Sequence, residues 1–413
     1  MYLIPIHVPI YVSGNTHLLA TDWKRSLELL RDSLQDRYCD IVVVAPRLSA
    51  ARETDQALEV VSPSEGIITV PSFPFDTRAR QYWLRYRAQW RRHVDWFAAK
   101  ASVVHSGFDD CYRPMSWLGF QLGVRHNKPT VFVQDVDHVG AIESRLKAER
   151  WSRRPERFLY KSLYERRCRA GVAAASLSLL KGGALMQRYG EHAKNPHCFH
   201  DTSYLSSEIV PAEVVTARHW RCHFGFTLRL VYCGRLDEGK GVADSITAIH
   251  QARQRGAMVS LDIIGDGPDR DALKSKVETL GVWQHVRFHG QRPYGPELLR
   301  LLAEYDALLF TSKREDTPRM IFDGYAAGLP VVGYAIPYLL ERAKEENAAV
   351  LTPRDDIEAL TQTLCRLDKD RAALVNLAPN VSTAAKYHAA DIWYKRRAEL
   401  TFEAVENHHK ASV

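Results

Sequence analysis

The sequence lacks the features of a disulfide-stabilised or membrane-spanning protein. Its seven cysteines are odd in number and widely scattered, and none forms a Cys-x-x-Cys pair. This distribution argues against a disulfide framework or a zinc site and favours a reducing compartment. The apolar residues 1–10 are few, follow no basic leader and include two prolines. They predict a first core strand, neither a signal peptide nor a membrane span, and we expect a cytoplasmic protein.

Internal repeats, low-complexity tracts and nucleic-acid recognition motifs are also missing from the sequence. The 413 residues are 25% charged and 46% hydrophobic, which is ordinary for a globular protein. A chain of this length predicts two or three domains, each able to bury its own core.

What the sequence does contain is a regular alternation of strand-like and helix-like segments. Such alternation predicts an α/β protein with two parallel, doubly wound sheets. The predicted strands are 2–8, 40–45, 66–70, 102–105, 130–134 and 171–175 in the first half, and 228–233, 260–264, 286–289, 307–310, 331–334 and 349–351 in the second.

We expect the halves to be separate domains. Residues 1–205 would form the first domain and 227–388 the second, joined by a linker over 206–226 that contains Pro211 and a polar run. Residues 389–413 look helical and are expected to cross back to the first domain.

The most informative motif places two acids eight residues apart, Glu315 and Asp323, directly after the predicted strand 307–310. A helix is predicted to begin with Thr317 as its N-cap and Pro318 at its first position, and to close with Gly328 just after its C-cap. Ligands of open α/β sheets bind at the carboxyl ends of strands, and helix N-termini there attract phosphate. The two carboxylates suit a ligand with phosphates and sugar hydroxyls.

A second motif supplies cations. Arg235 and Lys240 flank a glycine-containing turn between the strand 228–233 and a helix that begins near Val242. Arginine binds phosphate oxygens in a bidentate way and lysine acts as a point charge, so the pair could hold a diphosphate. Alone this turn is a weak signal, because many loops of this type carry solvated charges.

Together these segments resemble a known family. Gly234-Arg235-Leu236 with Lys240-Gly241, then Ile264-Gly265-Asp266-Gly267-Pro268, Phe288-His289-Gly290, Glu315 with Asp323, and Gly328-Leu329-Pro330-Val331-Val332 look like the ordered signature of retaining glycosyltransferases of family 4. The match is specific in the C-terminal half and loose in the N-terminal half. It implies the GT-B fold, in which two Rossmann-like domains face each other across a cleft.

The resemblance implies roles for the matched residues. Arg235 and Lys240 would contact the diphosphate of a nucleotide sugar, Glu315 the transferred sugar, and Asp323 the ribose. Gly265 and Gly290 would lie beside the donor. The nucleotide sugar would be a substrate, so no cofactor and no metal are expected.

The sequence departs from the family at several of these positions. Asp323 stands where the family usually has the longer glutamate, and Pro318 lies where a glycine-rich turn is more common and cannot donate a hydrogen bond. The glycine pair that often follows the strand 331–334 is missing. These departures put the geometry of donor binding, and even turnover, in question.

The N-terminal half offers further candidates. Gly14 either lets the backbone approach the diphosphate or is a simple turn glycine. Asp135 and His138 follow the strand 130–134, at whose end the resembling enzymes carry a histidine and here Gln134 stands; they either contact donor or acceptor or belong to a capping loop. Asp135-Val136-Asp137 is also the one candidate Mg²⁺ motif near these loops.

His105 ends another predicted strand. A lone histidine in such a place is more often a satisfied loop residue than a catalytic one.

A retaining transfer keeps the acceptor oxygen on the face that the diphosphate leaves. No nucleophilic carboxylate is evident in the second domain, so we expect front-face substitution, in which the departing phosphate takes the acceptor's proton while Arg235, Lys240 and helix N-termini hold the developing charge.

The net charge of +7 is modest but locally concentrated. Tyr82, Tyr86 and Trp90 recur at helical spacing among arginines, and a second basic cluster follows at 150–154. This pattern is typical either of a helix on the inner face of an anionic membrane, where a lipid-linked acceptor would be found, or of aromatic residues packed inward with arginines in solvent.

Three functions remain open at this point. The leading one is a glycosyltransferase of polysaccharide or lipid-linked precursor synthesis. The others are a sugar-nucleotide epimerase, for which no convincing set of additional acids and histidines is present, and a binding or scaffold protein that has lost turnover.

Overall fold

The computed structural model describes residues 1–38, 40–50, 57–140, 142–143, 154–224, 227–314 and 318–411. The chain divides into two compact units. The N-terminal unit comprises Met1–Phe199 and Trp393–Val413, and the C-terminal unit comprises His200–Ile392.

The N-terminal unit is built on one ten-stranded sheet. The strands are β1 Tyr2–Pro5, β2 Ile10–Ser13, β3 Thr16–Ala20, β4 Ile41–Ser49, β5 Leu58–Val60, β6 Ile67–Pro74, β7 Val103–Gly107, β8 Thr130–Gln134, β9 Leu177–Lys181 and β10 Pro196–Phe199. Strands β6, β4, β1, β7, β8, β9 and β10 pair in that order and in parallel. The order reverses between β1 and β7, which is the switch point at which doubly wound sheets bind ligands.

Both faces of this sheet are apolar because side chains alternate along each strand. In β1, Tyr2 and Ile4 belong to one buried cluster and Leu3 to another. Helices cover both faces. They are α1 Thr21–Leu34, α2 Arg87–Lys100, α3 Met115–Arg125, α4 Arg154–Ala174 and α5 Gly182–Tyr189.

The predicted aromatic stripe packs inward. It lies in a π-helix, Tyr82–Tyr86, and in the following helix α2. Tyr82 and Trp90 are fully buried, and Tyr86 stacks on Phe73 with ring centroids 5.5 Å apart. These three side chains therefore form core contacts and no membrane face. The second basic cluster lies outside the described residues at 150–153, and the side chain of Arg154 is likewise not described.

The segment 171–175 was predicted as a strand, and this prediction is wrong. It ends helix α4, and the strand follows at Leu177–Lys181. A short apolar run is compatible with a helix or a strand. Gly171 distinguishes the two here, because a Cβ at this position would lie 2.4 Å from the ring of Phe132. The glycine lets the helix approach the sheet closely, so the run belongs to a helix packed on β8.

The surroundings of Gly14 also differ from the prediction. Ser13 pairs with Thr16 in an antiparallel hairpin of β2 and β3, and Gly14 occupies its two-residue turn with φ +58°. Gly14 and Asn15 are typical of such turns because both tolerate positive φ. Gly14 thus lies at the tip of a hairpin near the sheet's edge, not in a turn between a strand and a helix.

The C-terminal unit contains a six-stranded sheet, parallel throughout. Its strands are β11 Leu228–Cys233, β12 Val259–Ile264, β13 Val286–Gly290, β14 Ala307–Phe310, β15 Val331–Tyr334 and β16 Ala349–Thr352. All six were predicted to within one residue. Their order, β13-β12-β11-β14-β15-β16, places the switch point between β11 and β14.

Helices cover this sheet as well. They are α6 Ala212–Phe224, α7 Val242–Gln254, α8 Arg270–Thr279, α9 Pro296–Leu302, α10 Arg319–Ala326, α11 Pro337–Glu346, α12 Ile357–Lys369 and α13 Ala378–Tyr387. The last helix, α14 Ala390–Ala411, follows. No helix in the described ranges is both long enough and apolar enough to cross a membrane.

The expected linker differs from the structure. The units divide at Phe199 and His200, and α6, inside the predicted linker 206–226, belongs to the C-terminal unit. Arg218 of this helix is buried and donates to the backbone oxygens of Ala327 and Gly328 at 3.0 and 2.5 Å. This contact explains why the segment packs as part of the unit.

The end of the chain clusters with the N-terminal unit from Trp393 onward. Trp393 stacks on Phe199 with ring centroids 5.6 Å apart. Ala398 and Leu400 of α14 share the buried cluster of Tyr2. The helix therefore completes one face of the N-terminal core.

Helix α10 begins at Arg319, with Pro318 at the N-cap. Pro318 was expected to be the first helical residue, so the helix begins one residue later than predicted. The helix ends at Ala326, and Gly328 follows the C-cap Ala327 with φ +73°, as predicted for a residue in the left-handed conformation. Thr317 lies outside the described residues.

Candidate functional site

The loops after β11 and β14 meet at the switch point of the C-terminal unit. In the first loop, Asp237 accepts a hydrogen bond from the backbone of Gly239 at 3.0 Å and starts a 3-10 turn, Glu238–Lys240. Gly241 follows with φ +65°, and a Cβ there would lie 2.1 Å from the backbone oxygen of Thr311. This glycine is required because the loop passes directly over the end of β14.

Further hydrogen bonds fix the loop in place. The Lys313 backbone donates to the Gly239 oxygen at 2.9 Å. The hydroxyls of Ser245 and Thr311 lie 2.8 Å apart. The turn that carries Arg235 and Lys240 is thus held by backbone and buried polar contacts.

Three cationic side chains, those of Arg235, Lys240 and Lys313, lie on or beside this turn. Their surroundings differ. Lys313 Nζ lies 2.8 Å from a carboxylate oxygen of the buried Asp244, which also accepts from the Tyr334 hydroxyl at 3.0 Å. The charge of Lys313 is therefore largely offset. Arg235 is exposed and Lys240 partly buried, just before the N-terminus of α7. Such a position suits an anion.

The two predicted glycines have different surroundings. Gly265 has φ +141°, and a Cβ there would lie 1.9 Å from the oxygen of Gly234. Its backbone donates to the oxygen of Gly290 at 2.8 Å, so Gly265 joins the ends of three strands. Gly290 has φ +69° and open space where a Cβ would be. Of the two, Gly290 is the one at which a ligand could approach the backbone.

Asp323, on helix α10, is 9% exposed. The Tyr294 hydroxyl donates to its Oδ1 at 3.2 Å. Burial raises the pKa of Asp323 to about 7, although the Tyr294 hydrogen bond and the charge of Arg319 act in the opposite direction. Glu315, the other acid of the motif, lies outside the described residues.

Tyr294 was overlooked in the sequence analysis. It belongs to the loop after β13, which borders a cavity of about 550 Å³ lined by Arg292, Pro293, Tyr294, Gly295 and neighbouring residues of α9. No local sequence signal marks it, because its partner Asp323 is distant in the chain. The contact depends on how the two loops fold.

The buried Asp323 should make stability depend on pH. Its folded-state pKa of about 7 lies above the ordinary value of 3.8, so the folded state retains the proton over that interval and the unfolded state loses it. Stability should therefore fall as pH rises from about 4 to 7. We expect Asp323→Asn to remove this part of the pH dependence, which urea unfolding at pH 5 and 8 would measure.

Tyr294→Phe provides a matched variant for that experiment. It removes a hydrogen bond that favours the ionised carboxylate, so the pKa of Asp323 should rise further and the loss of stability should extend to higher pH. Equal pH dependence of the wild type, Asp323→Asn and Tyr294→Phe would contradict the assignment.

The other predicted candidates are residues of the N-terminal unit. Asp135 and His138 follow β8, and Asp135 acts electrostatically on both His138 and His7. Burial lowers the pKa of His138, although Asp135 and other carboxylates act in the opposite direction. His7 and Asp109, which the sequence analysis did not select, therefore belong to the same cluster.

Asp137 has a local role. Its Oδ1 accepts from the backbone of Gly140 at 2.9 Å and lies 3.6 Å from Arg188 Nε. Among the described residues, no group of three or more histidine, cysteine or acidic side chains has the arrangement that a metal ion needs.

His105 has a satisfied side chain, as expected, but it lies within strand β7 and not in a loop. It is buried, and Arg397 Nη2 lies 2.9 Å from its Nε2. Burial and the charge of Arg397 hold the pKa of His105 well below its ordinary value. The ring is thereby kept neutral inside the core.

The fold resembles that of solved structures. The chain matches structures of the GT-B fold over nearly its whole length, which confirms the predicted α/β fold. One is Anabaena HepE in complex with UDP, with a TM-score of 0.64, 16% identity, and coverage of 98% of this chain and 99% of that chain. At this identity the likeness concerns the fold alone.

Part of the C-terminal unit is similar to a known family. Residues 227–370 match the family model described as Glycosyl transferases group 1. The match contains all six strands of the unit and the loop with Arg235 and Lys240.

Curated relatives match over part of their length. An exopolysaccharide phosphotransferase of Streptomyces coelicolor is 29% identical over 179 residues, which cover 41% of this chain and 18% of the relative. The putative colanic acid biosynthesis glycosyltransferase WcaL of Escherichia coli K12 is 28% identical over 157 residues, which cover 36% of this chain and 38% of the relative. This chain thus spans well under two thirds of the curated relatives it matches.

Proposed function

We propose that the protein is a glycosyltransferase that moves a sugar from a nucleoside-diphosphate sugar to a saccharide or lipid-linked acceptor during polysaccharide or glycoconjugate synthesis. The observation that carries the proposal is the loop after β11. Arg235 and Lys240 flank a turn that is fixed against β14 at the switch point. Cations carried by a fixed turn at such a place can stabilise a departing diphosphate, and the family match over the same loop supports this reading.

The other site residues receive roles in the same proposal. Glu315 would meet the hydroxyls of the transferred sugar, and Asp323 the ribose. Since Tyr294 already donates to Oδ1 of Asp323, the ribose would use the second carboxylate oxygen. This arrangement offers a way for the shorter aspartate to serve where resembling enzymes have glutamate.

The finer parts of the proposal concern the reaction. We assign the enzyme to the retaining glycosyltransferases of family 4, acting by front-face substitution. The incoming oxygen then enters on the side from which the diphosphate leaves, and Arg235 and Lys240 hold the developing negative charge without a divalent metal.

The proposal also includes a cellular compartment, the cytoplasm, and a first class of donor to test. Cys111, Cys168 and Cys222 are buried free thiols, which suits the reducing cytoplasm. HepE was crystallised with UDP and with UDP-glucose, and this supports testing UDP-sugars first.

The proposal is tested by a screen of nucleotide sugars for release of the nucleoside diphosphate, with membrane extract as the source of acceptor. We expect release from one or a few donors and its loss in Glu315→Ala. Binding of a nucleoside diphosphate with no release from any donor would instead identify an inactive binding protein. Conversion of the sugar while it stays attached to the nucleotide would identify an epimerase.

A further inference from the structure

The N-terminal unit has an open cavity among its outer helices. The cavity has a volume of about 340 Å³ and is bounded by the π-helix Tyr82–Tyr86 and by helices α2, α3 and α4. The residues given roles in the proposed function are not among its described lining residues. The lining combines apolar and basic side chains, which include Trp83, Trp117, Leu163, Arg87, Arg166 and Arg167.

The π-helix divides its side chains between the core and the surface. Tyr82 and Tyr86 pack in the core, whereas Trp83 is exposed and Leu84 is 78% exposed. Trp83 Nε1 donates to the backbone oxygen of Tyr112 at 2.8 Å, so the ring is held in place while part of it remains in water. The segment thus has an outward apolar side opposite the aromatic residues that pack inward.

Helix α4 presents further exposed apolar side chains beside the cavity. Leu159 is 70% exposed, and Leu163, one helical turn later, is also exposed. The positions that continue this stripe, Arg166 and Ala170, line the cavity together with Leu163. Phe158, next to Leu159 in the chain, is 66% exposed. Exposed apolar residues that cluster in this way mark an interaction surface.

The basic side chains of the cavity have no acidic partners. Elsewhere on α4, Arg169 pairs with Glu165 at 2.7 Å. In contrast, Arg87, Arg166 and Arg167 form no ion pair with any residue that the structure describes. Their positive charges are therefore not offset within the described part of the unit, and they should attract an anion.

Arg167 also has an unsatisfied hydrogen-bond donor. Its Nη1 is buried and has no hydrogen-bond partner among the described residues. Its guanidinium lies over the ring of Phe108, 5.6 Å from the ring centroid. A buried donor without an acceptor is unfavourable. Phosphate oxygens are acceptors that arginine binds in a bidentate way, so a phosphate group in the cavity would satisfy this side chain.

The apolar residues distinguish a phosphate in solution from a phosphate in a bilayer. A soluble phosphate compound would bind the arginines but leave Leu84, Phe158 and Leu159 in water. A nucleic acid could stack bases on the tryptophans but would leave the same three residues unused. The surface of an anionic membrane offers both phosphate groups and acyl chains, and tryptophan, leucine and phenylalanine beside arginine suit that environment.

We propose that this cavity and the apolar residues beside it form a docking surface for a membrane that contains anionic lipids. The arginines of the cavity bind a lipid phosphate, while Trp83, Leu84 and Leu159 enter the boundary between the head groups and the acyl chains. Such docking is peripheral and reversible. It requires neither donor nor acceptor, so the inference stands or falls separately from the proposed function.

The test is flotation of the full-length protein with two kinds of vesicle. One consists of phosphatidylcholine alone, and the other of equal parts of phosphatidylcholine and phosphatidylglycerol. We expect the protein to bind the mixed vesicles, to bind phosphatidylcholine only weakly, and to lose binding as the salt concentration rises. Equal binding to both kinds of vesicle, or binding to neither, would overturn the proposal.

Variants locate the docking surface. Leu159→Asp and Arg166→Glu change exposed side chains, so the fold should survive both. Each should weaken binding to the mixed vesicles by about 10-fold or more, because it removes apolar contact or reverses a charge at the surface. Unchanged binding in both variants would exclude this surface.

The matched controls change similar residues outside the cavity. Trp96, an exposed tryptophan of α2, has Lys100 Nζ 3.5 Å from its ring centroid. Arg366 is an exposed arginine of α12 in the C-terminal unit. Trp96→Ala and Arg366→Glu should bind the mixed vesicles like the wild type. A loss as large in Arg366→Glu as in Arg166→Glu would indicate attraction by overall charge and overturn the assignment.

Two further measurements separate a bilayer from other anions. Phosphatidylglycerol with brominated acyl chains should quench tryptophan fluorescence, and Trp83→Ala should lose most of this quenching while Trp96→Ala keeps it. Binding of glycerol phosphate or of a single-stranded oligonucleotide that Arg166→Glu abolishes, with vesicle binding that Leu159→Asp leaves intact, would identify a site for a soluble anion or a nucleic acid and overturn the membrane assignment.

Discussion

Lys240→Ala is expected to lower kcat for sugar transfer by about 100- to 1000-fold, the usual loss when one fixed donor to developing charge is removed. Lys240 closes the turn that lies before the N-terminus of α7. An ammonium group there is most useful when the diphosphate carries its full charge, which it gains as the bond to the sugar breaks. The loss should therefore appear mainly in kcat and less in the Kd of the donor.

The measurement is nucleoside diphosphate release under saturating donor, beside a binding isotherm. Lys369→Ala, a change of an exposed lysine in the last turn of α12, is the matched control and should leave both quantities unchanged. Because Asp237, Gly239 and Gly241 hold the loop through other contacts, the folded structure should survive the change. Near wild-type release by Lys240→Ala would remove this residue from the proposed site.

Arg218→Met should cost about 3 kcal/mol of unfolding free energy, because it leaves two buried carbonyl oxygens without their donor. Arg218 is 2% exposed, and its guanidinium donates to the oxygens of Ala327 and Gly328. Burial lowers the pKa of Arg218 to about 10, which shows how far this charge is removed from water. Methionine keeps the length of the side chain but supplies no hydrogen bond.

Arg221→Met is the matched control for this prediction. Arg221 lies on the same helix but is exposed, so its loss should cost less than about 1 kcal/mol. Urea unfolding followed by tryptophan fluorescence compares the two. Equal midpoints for both variants would show that the carbonyls at the end of α10 find other donors.

The sequence predicted the C-terminal sheet more closely than the N-terminal sheet, and the reason is local. Strands such as Leu228–Cys233 and Val331–Tyr334 are short apolar runs bounded by glycine or polar residues, so their limits are marked in the sequence. In the N-terminal unit the run 171–175 is equally apolar, and its helical state depends on Gly171 contacting Phe132. That contact is tertiary, and periodicity alone does not reveal it.

The residues of the candidate site also fall into two groups, those that local sequence marks and those that depend on tertiary contacts. Arg235, Lys240 and Asp323 are close to glycines and strand ends that the sequence itself shows. The Tyr294 to Asp323 contact and the His7 to Asp109 pair depend on which strands become neighbours. Strand order is set by the packing of whole helices on the sheet, so these partners appear only once the topology is known.

The return of helix α14 to the N-terminal unit has a consequence for synthesis. Ala398, Leu400 and Val405 complete a buried cluster with Tyr2 and Ile4, yet the ribosome makes them only after the whole of His200–Ile392. Until then, one apolar face of the first sheet lacks part of its cover, and exposed apolar faces favour aggregation and chaperone binding. The unit that leaves the ribosome first is thus the one that finishes folding last.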